Sequence, residues 1–201
     1  MSLHADALAV LRAWTPPSQE QAKLRDRYVA HLAAQPDGLR RTCLPDHLTA
    51  STLVLSADGE RVLLTLHAKA RRWFQLGGHC EEQDVSLAAA AGREASEESG
   101  LPDLRVDPVP VQLSEHAVPF CSPDHPGRAV HHLDVRFVAV VPEGAEPATS
   151  QESLDVRWWP YDALPDDELA ELVALARLRL AQSTSSPGGG SRRAAADQPS
   201  R

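Results

Sequence analysis

Apolar positions along the chain follow two successive periods. Leu3, Ala7, Leu8 and Leu11 recur at helical spacing, and Pro16-Pro17 ends that run. Ser18 can cap a second helix, with Gln21 three residues on in a capping-box arrangement, and Pro36-Asp37-Gly38 closes it near Ala34. Residues 1–40 are expected to form a helical hairpin ahead of a main domain at 47–181. From Leu48 the pattern turns to strands. Leu48–Leu55 and Arg61–His67 flank Ala57-Asp58-Gly59-Glu60, a hairpin signal, and Trp73–Leu76 reads as a short strand ending in Gly77-Gly78. Ser86 can cap a helix running to about Ser99, with Gly100 suited to the left-handed position beyond it. Further strands are expected near Val109–Ala117, Leu133–Val141 and Val156–Trp159. A last helix is expected over Asp166–Ala181, with Arg177 and Arg179 in its final turn, where they would complement the helix dipole. The Ser/Gly/Pro-rich stretch 183–201 holds too few large apolar residues to pack and reads as a disordered tail.

Composition narrows the classes of function. Hydrophobic residues make up 42% of the 201 residues but aromatics only 4%, so the core must be built mostly from Leu, Val and Ala. The formal net charge of −8 argues against a protein that binds a nucleic-acid polymer. A small anionic substrate stays open, because a bound cation can invert the local field. The three cysteines, Cys43, Cys80 and Cys121, are widely spaced and form no disulfide framework, which points to a reducing, cytoplasmic setting. No secretory signal pattern occupies Met1–Leu11, and no run approaches the roughly 20 apolar residues that span a bilayer, so no membrane partner is expected.

The most informative segment is Gly77–Leu101, GGHCEEQDVSLAAAAGREASEESGL. On a helix, Glu94, Glu97 and Glu98 stand at i, i+3 and i+4 and share a face, which is mildly unfavourable unless a cation joins them. An all-oxygen donor set suits Mg²⁺ or Mn²⁺. Arg93 can hold a carboxylate in a bidentate pair, and Gly77 and Gly78 permit close backbone approach.

This segment resembles the Nudix box, Gly-x5-Glu-x7-Arg-Glu-(apolar)-x-Glu-Glu-x-Gly-(apolar). Arg93, Glu94, Ala95, Glu97, Glu98, Gly100 and Leu101 match its second half. The first half departs. An ungapped count places His79 and Val85 at the box glycine and glutamate, whereas one extra residue before the helix places Gly78 and Asp84 there. We take the second register, a GGHxE variant, because it restores a glycine and a carboxylate together. The resemblance implies an α/β fold, the Nudix-type α/β/α sandwich with a mixed sheet. It implies cleavage of a pyrophosphate bond in a nucleoside diphosphate linked to another moiety, including nucleoside triphosphates such as an oxidised dNTP. It further implies that Glu94, Glu97, Glu98 and the Gly77 carbonyl ligate Mg²⁺ or Mn²⁺, and that Arg93 orients a glutamate. Glu98 is the leading candidate for the base that activates water, with Glu115 and Glu152 as loop alternatives. Members of this family are frequently homodimers.

Other residues invite roles. Lys69, Arg71 and Arg72 precede the strand that enters the box and can grip substrate phosphates. His132 and Asp134 point to one side of a strand and can face the cleft, as can His79. The spacings among His79, Cys80, His116, Cys121 and His125 match no standard zinc site. Trp73 and Trp158-Trp159 read first as packing residues. Two rival functions share the fold: a non-catalytic nucleotide-sensing module, and an isoprenoid diphosphate isomerase. The intact Arg-Glu-x-x-Glu-Glu half and the absence of a basic recognition helix in the hairpin favour the enzyme over the sensor, and no motif supports the isomerase.

Overall fold

The structure, a computed structural model, describes residues 1–102, 104–118, 129–149 and 153–185. Its elements are α1 (Leu3–Ala13), α2 (Gln19–Ala34), β1 (Asp46–Leu55), β2 (Arg61–His67), β3 (Trp73–Phe74), β4 (Leu76–His79), α3 (Leu87–Ser99), β5 (Gln112–Ala117), β6 (His131–Val140), β7 (Ser153–Pro160) and α4 (Ala170–Ser185). A turn of 3-10 helix at Asp167–Leu169 leads into α4.

One mixed sheet runs β3-β2-β1-β6-β5. β1 and β6 pair in parallel over ten positions, and the other pairings are antiparallel. β1 shares its second edge between β2, at Val54 and Leu55, and β4, at Thr49–Thr52. Alternation along β1 then sorts the layers. Ala50, Leu133, Val135 and Phe137 point to the side covered by α3 and the N-terminal helices, forming a core with Leu11, Tyr28, Leu32, Leu87, Ala90 and Ala91. Leu53, Leu55 and Val138 point the other way, onto Leu172, Val173 and Ala176 of α4. The result is the α/β/α sandwich anticipated from the box, with the core built largely from Leu, Val and Ala.

The caps follow the sequence. Ser86 Oγ accepts from the Ala89 N–H and Gly100 takes φ 68° at the end of α3. Ser18 Oγ accepts from the Gln21 N–H, but the Gln21 side chain does not reach back to complete the capping box. It crosses instead to β5, where its Nε2 donates to the Leu113 carbonyl at 2.9 Å and its Oε1 accepts from the Leu113 N–H at 2.7 Å. β5 is an edge strand, and this amide stands in for one residue of a missing neighbour.

Two other expectations change. The glycine pair does not terminate the Trp73–Leu76 strand. The chain leaves β2 after Phe74, breaks at Gln75 and resumes on β1, so both glycines lie inside β4. The last helix runs to Ser185, so residues 183–185 continue α4 and Arg177 and Arg179 are not in its last turn; residues 186–201 lie outside the described residues. Tertiary partners take those charges. Arg179 holds Asp107 through two bonds of 2.9 and 3.0 Å, and Arg177 lies 3.7 Å over the Tyr161 ring and bonds the Gly59 carbonyl. No helix among the described residues is long and apolar enough to cross a membrane.

Replacing Gln21 with Ala strands the Leu113 N–H and carbonyl at a buried strand edge. We expect a loss of about 2 kcal/mol, read as a lower urea midpoint with unchanged slope; an unaltered midpoint would show that the hairpin docks without this amide.

Candidate active site

The site is built where α3 crosses β4 at Gly78. A Cβ on Gly78 would stand 2.5 Å from Glu94 Oε2, so the glutamate occupies the space a side chain would fill. A Cβ on Gly77 would lie 2.5 Å from Ser51 Cα, against the backbone of β1. The Gly77 N–H donates to Glu98 Oε2 at 2.9 Å. Glu94 and Glu98, one helical turn apart, are thus each seated against one of two consecutive glycines.

Arg93 fixes the helix relative to the loop before it. Its Nε and one terminal nitrogen donate to the two Asp84 oxygens, both at 3.0 Å, in a fork that neither partner can leave cheaply. The same guanidinium donates to Glu94 Oε1 at 2.9 Å, Glu97 Oε2 at 3.1 Å and the His79 carbonyl at 2.9 Å. The Asp84 hydrogen bonds, with those to Glu94, raise its pKa far beyond its ordinary value despite the opposing effect of burial. Asp84 also accepts from the Glu81 N–H at 2.7 Å, which closes the loop, and its side chain is only 4% exposed. Asp84 thus joins the loop before α3 to Arg93 at the start of the acidic ridge.

The donor set fits a hard divalent cation. Glu94, Glu97 and Glu98 offer only oxygen, and Glu97 is 60% exposed and can swing. The single charge of Arg93 is spread over Asp84, Glu94 and Glu97, so this ridge carries an excess of negative charge. Gly77 turns its N–H towards Glu98, which places its backbone beside the carboxylates.

Gly78 faces α3, so its neighbour His79 points to the other side of the sheet. There it meets His47 and His132, with ring centroids 4.9 to 5.2 Å apart, and His116 lies 5.6 Å beyond His132. Burial holds His79 down to about 4 and His132 to about 2, with neighbouring imidazoles adding to both. Burial also lowers His47 and His116, so all four rings are neutral at pH 7. On the same face Asp134 is buried and accepts from Thr49 Oγ1 (3.1 Å), Ser51 Oγ (2.8 Å), Gln75 Nε2 (3.1 Å) and Arg136 Nε (3.1 Å). His132 and Asp134 do share a side, but Asp134 is the hub of an interior network rather than an open cleft wall.

Beside this network lies a cavity of about 300 Å³, lined by Trp73, Phe74, Gln75, Gln112 and Arg136 among others. Arg72 reaches it but is held by Asp166 at 2.6 Å and Glu168 at 3.0 Å. Lys69 and Arg71 lie exposed in the β2–β3 connection, where Arg71 has φ 56°. Glu115 sits on β5, not in a loop, and pairs with Arg27 at 2.7 Å. Glu152, Cys121 and His125 fall outside the described residues. Cys80 points away from His79 into the α3-side core, where burial pushes its thiol up to about 12. Trp73 and Trp159 pack edge to face at 5.2 Å with Arg157 over both, a packing role. Sequence reading missed His47 entirely: it is 32 residues from His79 and 85 from His132, and only the pairing of β1 with β4 and β6 joins them.

A family model described as a NUDIX domain matches residues 45–178. Among solved structures, a NUDIX-family hydrolase from Clostridium perfringens is 24% identical, with a TM-score of 0.50, over 67% of this chain and 97% of its own. A C. elegans Ap4A hydrolase, in a binary complex, is 16% identical with a TM-score of 0.51, over 67% of this chain and 98% of its own. The E. coli dihydroneopterin triphosphate pyrophosphohydrolase is 15% identical with a TM-score of 0.51, over 66% and 95%. At these identities the structures establish the shared fold. No curated protein matches the chain by sequence.

Two measurements probe the site. In Gly78→Ala the new methyl meets only the far end of Glu94, so the protein should fold while Mn²⁺ binding weakens about tenfold or more. In Gly77→Ala it meets backbone, and a loss of about 3 kcal/mol is expected; equal effects at both positions would contradict this geometry. The imidazole cluster gives a pH signature. An unfolded imidazole takes a proton below its ordinary 6.5, whereas folded His79 takes it only near 4. Stability is then complete above pH 6.5 and falls as pH drops towards 4. Thermal melts of metal-free protein across that range should fall more steeply for the native chain than for His79→Gln, and parallel slopes would mean the ring is not held neutral.

Proposed function

The chain belongs to the NUDIX family, a hydrolase acting on pyrophosphate bonds, and from that premise we propose that it cleaves a nucleoside diphosphate linked to a second moiety, with Mg²⁺ or Mn²⁺ held by Glu94, Glu97, Glu98 and the Gly77 carbonyl. The observation that carries this reading is the seating of Glu94 and Glu98 against consecutive glycines, with α3 locked by the Arg93–Asp84 fork. A helix held so firmly by its acidic ridge is arranged for use. A solvated acidic face would need neither the glycines nor the clasp.

The chemistry follows from these groups. When bound, the cations offset charge on the phosphoryl oxygens and lower the pKa of the attacking water. Glu98 accepts the proton of that water, the oxygen attacks one phosphorus, and the bond from that phosphorus to the bridging oxygen breaks. Two phosphate products leave. The Gly77 N–H holds Glu98 Oε2 in place. Arg93 is a positioning residue: it sets the directions of Glu94 and Glu97.

The cavity beside Gln75 suits the uncharged end of the substrate. Its walls combine the rings of Trp73 and Phe74 with the amides of Gln75 and Gln112. Glu115, Asp166, Glu168 and Glu171 also line it, together with Arg72 and Arg136.

Glu98→Gln removes the proton acceptor and keeps the side-chain shape. In a screen of nucleoside diphosphate derivatives with Mg²⁺, we expect its kcat to fall about 100-fold or more with an unchanged melting temperature. Full activity in this variant would reject the assignment, and no cation-dependent product from any substrate in the native protein would favour a nucleotide-sensing module.

A further inference from the structure

The imidazole cluster on the far side of the sheet has no part in the chemistry above. We propose that His47, His79 and His132 form a second, separate metal site, selective for a zinc-class divalent ion. One ligand nitrogen from each ring lies within 4.8 Å of the others. Nitrogens around a tetrahedral zinc stand about 3.3 Å apart, given Zn–N bonds of about 2.0–2.1 Å. The ligand atoms therefore need to close by at most about 1.5 Å.

The rings come from three strands paired side by side. β1 lies between β4 and β6, His47 is directly opposite His132, and His79 is opposite Thr49, one step along the same face. Pairing thus presents the ligands before any ion arrives.

His47 supplies the sharpest observation. It is fully buried, and its Nδ1 lies 3.1 Å from the Cys43 carbonyl. A carbonyl only accepts, so Nδ1 carries the hydrogen and Nε2 carries the lone pair. That Nε2 is buried with no hydrogen-bond partner. A carbonyl that fixes the tautomer and leaves the other nitrogen bare is the usual arrangement behind a metal-bound histidine.

The donor chemistry selects the ion. Three neutral imidazoles suit Zn²⁺ and disfavour Mg²⁺, which asks for oxygen. Asp134, the next position on that face of β6, brings negative charge near the buried ion while its oxygens stay with their four donors. Cys80 is not a ligand, because it packs into the core on the other face. The two sites are therefore sorted by hardness on opposite sides of one strand, with glutamate oxygens on the α3 side and imidazole nitrogens on the other.

The test uses the full chain, stripped with chelator, loaded with Zn²⁺ and dialysed against excess Mg²⁺. One zinc per chain should remain by elemental analysis, Co²⁺ in its place should give the intense visible bands of tetrahedral nitrogen coordination, and zinc should raise the melting temperature. His47→Gln and His132→Gln should each lose the retained zinc, whereas the combined Glu94→Gln, Glu97→Gln, Glu98→Gln variant should keep it. No zinc retained by the native chain, an octahedral Co²⁺ spectrum, or zinc lost with the glutamates but kept without His47 would each overturn the proposal. The Co²⁺ spectrum needs no variant, so a misfolded mutant does not blunt the test. Hydrolysis is not among the readouts, so this site and the pyrophosphatase reading fail independently.

Discussion

The contact on which the rest depends is the passage of α3 over Gly78 of β4, at a distance that admits no Cβ there. Gly78 leaves room for the Glu94 carboxylate, and Gly77 lets its strand lie on the Ser51 backbone while its N–H meets Glu98. Once the helix is that close, its phase matters, and the Arg93–Asp84 fork sets it. The Ala-rich first turns of α3 serve the same end. Ala90, Ala91 and Ala95 are fully buried, and larger side chains there would lift the helix off the sheet.

Close approach also explains why the carboxylates crowd. Like charges on one helical ridge repel, and in water such a ridge would spread out. Here Glu94 and Glu98 are part-buried against backbone, and Arg93 ties Glu94 and Glu97 to the loop. The strain of crowding is held by packing elsewhere, above all by the two apolar cores on either face of the sheet. A cation placed there would relieve that crowding.

The N-terminal hairpin joins the α3-side core. Leu11, Tyr28 and Leu32 pack in one cluster with Leu87, Ala90 and Phe137, so the helices buttress the helix that carries the glutamates. Asp6 reinforces this by accepting from the Leu87 N–H at 2.8 Å, at the start of α3. Gln21 seals the β5 edge in the same way. The hairpin thus buttresses both α3 and the β5 edge.

How much of this was legible depended on the range of the interaction. Period, caps and box spacing act within a turn or two of chain, so α3, its Ser86 and Gly100 caps, the β1–β2 hairpin and the acidic ridge could all be read from residues alone. Where a residue had competing partners, local pattern failed. Gln21 left its cap for a strand edge 92 residues away, Arg177 and Arg179 left the helix dipole for Glu60 and Asp107, and Asp134 took four donors in the interior. The histidines had no local signal at all. Strand pairing alone brings His47, His79 and His132 together, and alternation alone puts them across the sheet from the glutamates. Sequence determined the helix that bears the acids because that order is written in spacing; tertiary structure decided what faces what, because that is set by which strands pair and which side of each is covered.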